Sequence, residues 1–170
     1  SLADLIARVL PNRSGDSYTR ADTYAPQPGS TLVYQESLPV EDLGMAYLFA
    51  APTASIENVA KGELLAAHLS NRAFNQLRTE EQLGYAAGGF ATQLGDHPMV
   101  GFYIQTPVKA PIAMLERFDR YRTEFASDLE ALDQAEFESI KAGVLTDLTQ
   151  PPKNLGEEAG PFLMDWNRER

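Results

Sequence analysis

The sequence predicts an α+β fold of two layers, a largely antiparallel sheet with helices packed on it. Three observations predict it. β-Branched and aromatic runs are joined by links too short for a parallel crossover. Elsewhere apolar residues recur at helical spacing. The chain has 170 residues and no cysteine, which is one domain's length and enough to bury a core without disulfides.

The elements follow in order. Residues 2–10 read as a short helix with Leu2, Leu5, Ile6 and Val9 on one side, stopped by Pro11. Residues 12–30 are polar and punctuated by Pro26 and Pro28, as in a linker. The expected division is therefore an N-terminal helix and linker over 1–30 and an α+β domain over 31–170. Thr31–Glu36 and Gly44–Ala50 read as strands, the second more buried, and the link over 39–43 makes them antiparallel neighbours. Ser55 is the expected N-cap of a helix over 56–77. Its apolar stripe is Ile56, Val59, Ala60, Leu64, Ala67, Ala73, Phe74 and Leu77, widened by Ala66 and Leu69. A strand over 83–93, a turn over 95–98 and a strand over 99–105 form a hairpin. Three helices close the chain. The first covers about 110–128, with Ile112, Leu115, Phe118, Tyr121, Arg122 and Phe125 near one face. The second covers 133–149, with Asp133 and Glu136 as a capping box. The third starts near Asn154 and is interrupted by Pro161.

Fourteen basic against 24 acidic residues give a net charge of −10. Such a domain repels phosphate backbones, so nucleic acid is excluded as a partner. No apolar run approaches the roughly 20 residues of a membrane span. A chain beginning Ser1-Leu2-Ala3 reads as part of a longer polypeptide, in which its apolar faces would find partners. Alone, it is expected to expose apolar surface and to self-associate through it.

The common catalytic constellations are absent. The two histidines, His68 and His97, share no helix face, so neither belongs to an H-x-x-E-H or H-E-x-x-H zinc site. They read as a helix-surface residue and a turn residue, and no metal site is expected. There is no G-x-S-x-G elbow, P-loop or G-x-G-x-x-G. The acidic pairs Glu80-Glu81 and Glu157-Glu158 read as solvated faces.

One segment stands apart: Phe74-Asn75-Gln76-Leu77-Arg78-Thr79-Glu80-Glu81-Gln82-Leu83-Gly84-Tyr85. It reads as a helix ending in a corner. Thr79 and Gln82 fit a one-turn capping box, and Gly84 permits an unusual backbone angle or a close approach. Arg78 and Tyr85 project from that corner, one a guanidinium fork, the other a phenolic donor. The bland alternative pairs Arg78 with Glu80 or Glu81 and leaves Tyr85 at the core's edge.

This run resembles the signature of the C-terminal half of the pitrilysin/insulysin family, inverted-zincin metallopeptidases. The strand over 102–105 and Pro152-Lys153-Asn154-Leu155, ahead of a helix holding Trp166, support the likeness, which covers about residues 30–170. The resemblance implies a truncated copy of the fourth of four homologous α+β domains, without metal of its own. Zinc belongs to the parent enzyme, in an N-terminal half that would be this domain's partner and whose site acts on peptide substrates. It further implies that Arg78 and Tyr85 reach that site, hold substrate backbone and polarise the scissile carbonyl, making both catalytic in an auxiliary sense and substrate-binding. A periplasmic or secreted setting fits the family. A rival reading is a zinc-less scaffold or binding subunit of a processing-peptidase-like complex. A third is an unrelated module with a chance corner.

Overall fold

The computed structural model describes residues 27–107 and 110–167, together with Arg8. The expected helix over 2–10, most of the linker over 12–30 and the Trp166 side chain lie outside these, Arg8 apart. The described elements are β1 (Leu43–Ala50), α1 (Ile56–Ala73) continuing into a π-helical turn (Phe74–Glu80), β2 (Ala86–Leu94), β3 (His97–Thr106), α2 (Pro111–Glu130), α3 (Gln134–Thr149) and α4 (Leu155–Asn167). The architecture is α+β, a three-stranded antiparallel sheet in the order β1-β3-β2 with helices on it.

β1 alternates, and so does β3 from Phe102 onward. Met45, Tyr47 and Phe49 of β1 and Phe102 and Ile104 of β3 turn to the helices. Tyr47 stacks on Phe102 with centroids 5.8 Å apart, a cross-strand pair that supports the register Tyr47↔Phe102. Phe102 also meets Phe118 at 4.7 Å and Tyr121 at 4.9 Å, which anchors α2. Helix α1 crosses β2 where there is no side chain: a Cβ on Gly89 would stand 2.7 Å from the Ser70 amide nitrogen. That close approach seats Ala66, Leu69 and Ala73 in the core.

Four expectations need correction. Thr31–Glu36 forms no strand and its side chains are exposed. Leu32, Val33 and Tyr34 are consecutive rather than alternating, so no register turns them all to one core. The local hairpin yields to the long-range β1–β3 pairing. The buried seam of α1 is shifted toward its C-terminus, and Ile56 is 79 % exposed, because contact is fixed at Gly89. On α2 the buried residues are Met114, Arg117, Phe118 and Tyr121, while Ile112 and Leu115 are exposed. Finally, α4 continues past Pro161, forgoing the hydrogen bond that proline cannot donate.

Both expected N-caps form, but the Glu136 carboxylate lies toward Arg72 at 3.9 Å instead of returning to the Asp133 amide, so the capping box is not completed. Ser55 Oγ accepts from the Asn58 amide at 3.2 Å, and Asp133 Oδ1 from the Glu136 amide at 2.8 Å. Helix α3 buries no residue. With Leu145, Leu148, Leu155, Phe162, Leu163 and Met164 exposed on α3 and α4, apolar surface is open as expected. No described helix is long and apolar enough to cross a membrane.

Candidate functional site

The corner forms where α1 loses its regular pitch. Over Phe74–Glu80 the backbone widens to π geometry, and the Glu81 amide donates to the Gln76 carbonyl at 2.9 Å. Such widening presents side chains at an altered phase. Thr79 makes no capping box with Gln82. Its hydroxyl turns back to the Phe74 carbonyl at 3.4 Å, and the chain reverses through Gln82 at φ +53°. The turn closes by the Leu83 amide donating to the Leu77 carbonyl at 2.9 Å. Leu77, fully buried, pins it to the core.

Gly84 then passes directly against β3. A Cβ there would lie 2.3 Å from the Gln105 carbonyl oxygen, which confirms the close approach read from the sequence. Beside it the Tyr85 amide donates to that same carbonyl at 3.1 Å.

Arg78 and Tyr85 emerge together. Arg78 Nε donates to the Tyr85 carbonyl at 2.9 Å, and its guanidinium carbon lies 4.5 Å from the Phe74 ring centroid. Both the backbone bond and the ring hold the fork in one orientation. Its pairing is therefore not with Glu80 or Glu81. The Tyr85 ring is half exposed, and its hydroxyl donates to Asp42 Oδ2. That hydrogen bond, more than burial, raises the phenol above the usual tyrosine range.

Glu81 is not a solvated carboxylate. Arg117, 8 % exposed, grips it through two nitrogens, Nε at 2.7 Å and Nη2, and Nη2 also reaches Glu124 at 3.0 Å. Gln76 joins the network through Glu124 at 2.7 Å. The Arg117 hydrogen bond holds the Glu81 carboxyl below the usual range. The network ties the π turn to α2, and so fixes the platform that carries Arg78.

The histidines sit elsewhere. His68 is buried rather than on the helix surface, with its ring 5.4 Å from that of Phe125. His97 opens β3 instead of lying in the turn, and its Nε2 donates to the Ala51 carbonyl at 2.7 Å. Among the described residues no group of three His, Asp or Glu side chains converges as a metal ligand set requires.

Sequence reasoning missed Asp42, Gln105, Arg117 and Glu124. None carries a local pattern. They reach the corner only through long-range register: Leu43↔Thr106 sets Asp42 beside the end of β3, and Ala86↔Gln105 brings Tyr85 there from the other side.

Comparisons with known proteins converge on one group. Residues 64–163, more than half the chain and including the whole corner, match the family model described as PQQ synthase PqqF-like, C-terminal lobe domain 4. The chain is 31% identical over 156 residues to Protease 3 of Escherichia coli (strain K12), covering 91% of this chain and 16% of that protein. It is 26% identical over 175 residues to the A-factor-processing enzyme of Saccharomyces cerevisiae, covering 96% of this chain and 17% of the relative. It is therefore similar to less than a fifth of the length of each. A crystal structure of pitrilysin superposes with a TM-score of 0.66 at 34% identity, over 78% of this chain and 14% of the other. With the signature run inside the matched region and the same fold in pitrilysin, the chain belongs to the PqqF-like C-terminal lobe family of the pitrilysin/insulysin peptidases.

Proposed function

We propose that this chain is the non-catalytic C-terminal domain of a zinc metalloendopeptidase that degrades peptides. It closes the substrate chamber and lends Arg78 and Tyr85 to a zinc site on the N-terminal half of the same enzyme. The observation that carries the reading is the corner itself. Arg78 and Tyr85 are exposed side by side, joined by the Arg78 Nε bond to the Tyr85 carbonyl at 2.9 Å, on a platform fixed by Arg117 and Glu81. A merely structural pair would have its polar groups spent on the core. Here the guanidinium ends and the phenolic oxygen face outward, able to meet a peptide's carbonyl and amide groups.

Substitution in the complete polypeptide tests this. Tyr85→Phe is expected to lower kcat/KM by about 10–10²-fold. That is below the loss at a well-built oxyanion hole, because other groups share the charge. Arg78→Ala is expected to act chiefly on KM, since a guanidinium grips the ground state as well. Unchanged kinetics in both variants would refute the assignment and favour the scaffold reading.

A further inference from the structure

A cavity of about 230 Å³ lies between the C-terminal end of α1, the π turn and α2. Arg78 and Tyr85 do not line it, so it is separate from the corner's outward pair. Its walls are acidic: Glu80 comes from the π turn and Glu124 and Asp128 from α2, against Arg72 of α1 alone. Arg117 behind them is matched by Glu81, so negative charge is in excess. These carboxylates also keep unspent capacity. Arg72 Nε donates to Asp128 Oδ2 at 2.8 Å, and Gln76 Nε2 and Arg117 Nη2 both donate to Glu124 Oε2, at 2.7 and 3.0 Å. Asp128 Oδ1 and Glu124 Oε1 accept from no described residue, and Glu80 has no hydrogen-bond or ion-pair partner among the described residues.

A second observation comes from the cavity's floor. Tyr121 lines it and is 1 % exposed, and its hydroxyl has no hydrogen-bond partner. Burial, then the Asp128 charge, raises this phenol above the usual tyrosine range, and Arg72, Arg117 and Glu124 act on it as well. Of those four groups only Arg117 lies outside the lining, so the hydroxyl end points toward the cavity. A buried hydroxyl left unpaired is costly and marks where a partner is missing.

We propose that this cavity binds a primary alkylammonium ion, its N–H groups shared among Glu80, the free oxygens of Glu124 and Asp128, and the Tyr121 hydroxyl. An ammonium brings three donors and no acceptor, the complement of a wall of unspent acceptors. A divalent metal is less suited, because no group of three His, Asp or Glu side chains converges among the described residues. An anion meets the excess negative charge and is repelled. The volume lies below the roughly 300–1,000 Å³ of pockets for drug-sized ligands, which suits one head group on a short alkyl chain. Phe125 supplies an apolar wall for its methylenes. The same chemistry is offered by a free amine and by a lysine side chain of another protein.

Isothermal titration calorimetry of the complete polypeptide at low ionic strength tests this, with n-butylammonium chloride as probe. The expected Kd is on the order of 1 mM and weakens as salt is added, because the carboxylates are partly exposed. Glu80→Gln removes a charge that holds nothing in the fold and should raise Kd about 3–10-fold. Tyr121→Phe keeps the ring and should raise Kd about 3-fold or more. Glu57→Gln, at the opposite end of α1, should leave it unchanged. Nα-acetyl-lysine N-methylamide is the second probe: binding as tight as butylammonium assigns the site to a protein's lysine, and weaker binding to a free amine. An absence of saturable binding by both probes would overturn the proposal. So would a Kd unmoved by Glu80→Gln, or one raised equally by Glu57→Gln, which would mean general attraction to an acidic chain. If Tyr121→Phe does not fold, Glu80→Gln decides alone. None of these outcomes bears on the role of Arg78 and Tyr85.

Discussion

Gly84→Ala is the sharpest probe of how the corner is built. The new Cβ would meet the Gln105 carbonyl oxygen at 2.3 Å and the Ile104 Cγ1 at 2.9 Å. Ordinary contact begins at 3.4 Å, so the two backbones must part by about 1 Å. The nearer atom belongs to the middle strand, which is paired on both sides and cannot retreat. Segment 84–85 must move instead, and the bond from the Tyr85 amide to Gln105, 3.1 Å long, lengthens or breaks. Overpacking costs about 1–3 kcal/mol and the lost hydrogen bond about 1 kcal/mol. Replacing a glycine returns about 0.4–1 kcal/mol through the unfolded chain. The net is a loss of about 2–3 kcal/mol, or roughly 5–10 °C in Tm for a chain of this size. Thermal unfolding followed by circular dichroism checks it. Gly62→Ala is the control: it lies in α1 with nothing within 4 Å of its Cβ position, and should raise Tm by about 2–4 °C. A Gly84→Ala variant that melts at or above the wild type would refute the packing argument.

Two further outcomes concern charge. Glu81→Gln is expected to cost about 1–2 kcal/mol at pH 7 by urea denaturation, a value discounted for the partial exposure of Glu81. Because the Glu81 carboxyl is held below its ordinary range by Arg117, that stability is present above about pH 4.5 and is lost as pH falls, so wild type and variant should converge in acid. Tyr121 is the alkaline counterpart. Burial pushes its phenol well above the ordinary value near 10. Its contribution is therefore complete below about pH 10 and is lost as pH rises, at up to about 1.4 kcal/mol per unit. Tyr121→Phe should flatten that alkaline decline in a pH series of urea melts, and an unchanged slope would count against it.

What the sequence made legible was local. The Ser55 and Asp133 caps, the Gly95 turn between β2 and β3, and the α1 helix follow from nearest neighbours and periodicity. The block from Phe74 to Tyr85 was legible as a corner because its glycine and its polar residues break a periodic run. What failed was long-range. Thr31–Glu36 has strand composition, yet composition does not say which edge a segment pairs with, and β1 took β3 instead. His68 was misplaced because helical spacing alone does not reveal that Phe125, from a distant helix, packs against that side. The stripe of α2 was rotated for the same reason. Which residues face inward depends on where Phe102 stands, and its position is set by strand register rather than by α2.

The same distinction explains the site. Arg78 and Tyr85 are seven residues apart, and a short motif can encode their proximity. Orientation is different in kind. The guanidinium and the hydroxyl are oriented by partners from far along the chain: Asp42 for the Tyr85 hydroxyl, with the Gln105 amide on the same Asp42 oxygen, and Arg117 for the turn beneath Arg78. The middle strand carries the consequence. β3 pairs with both β1 and β2 over 99–105, so its C-terminal end is where groups preceding both outer strands can meet. The π turn delivers Arg78 to that same end, and Gly84 lets it pass close enough to bond there. The corner therefore depends on the whole sheet for its chemistry, although the motif that marks it is only twelve residues long. A substitution anywhere in the β1–β3 register that shifts Asp42 would change how Tyr85 faces without touching the motif at all.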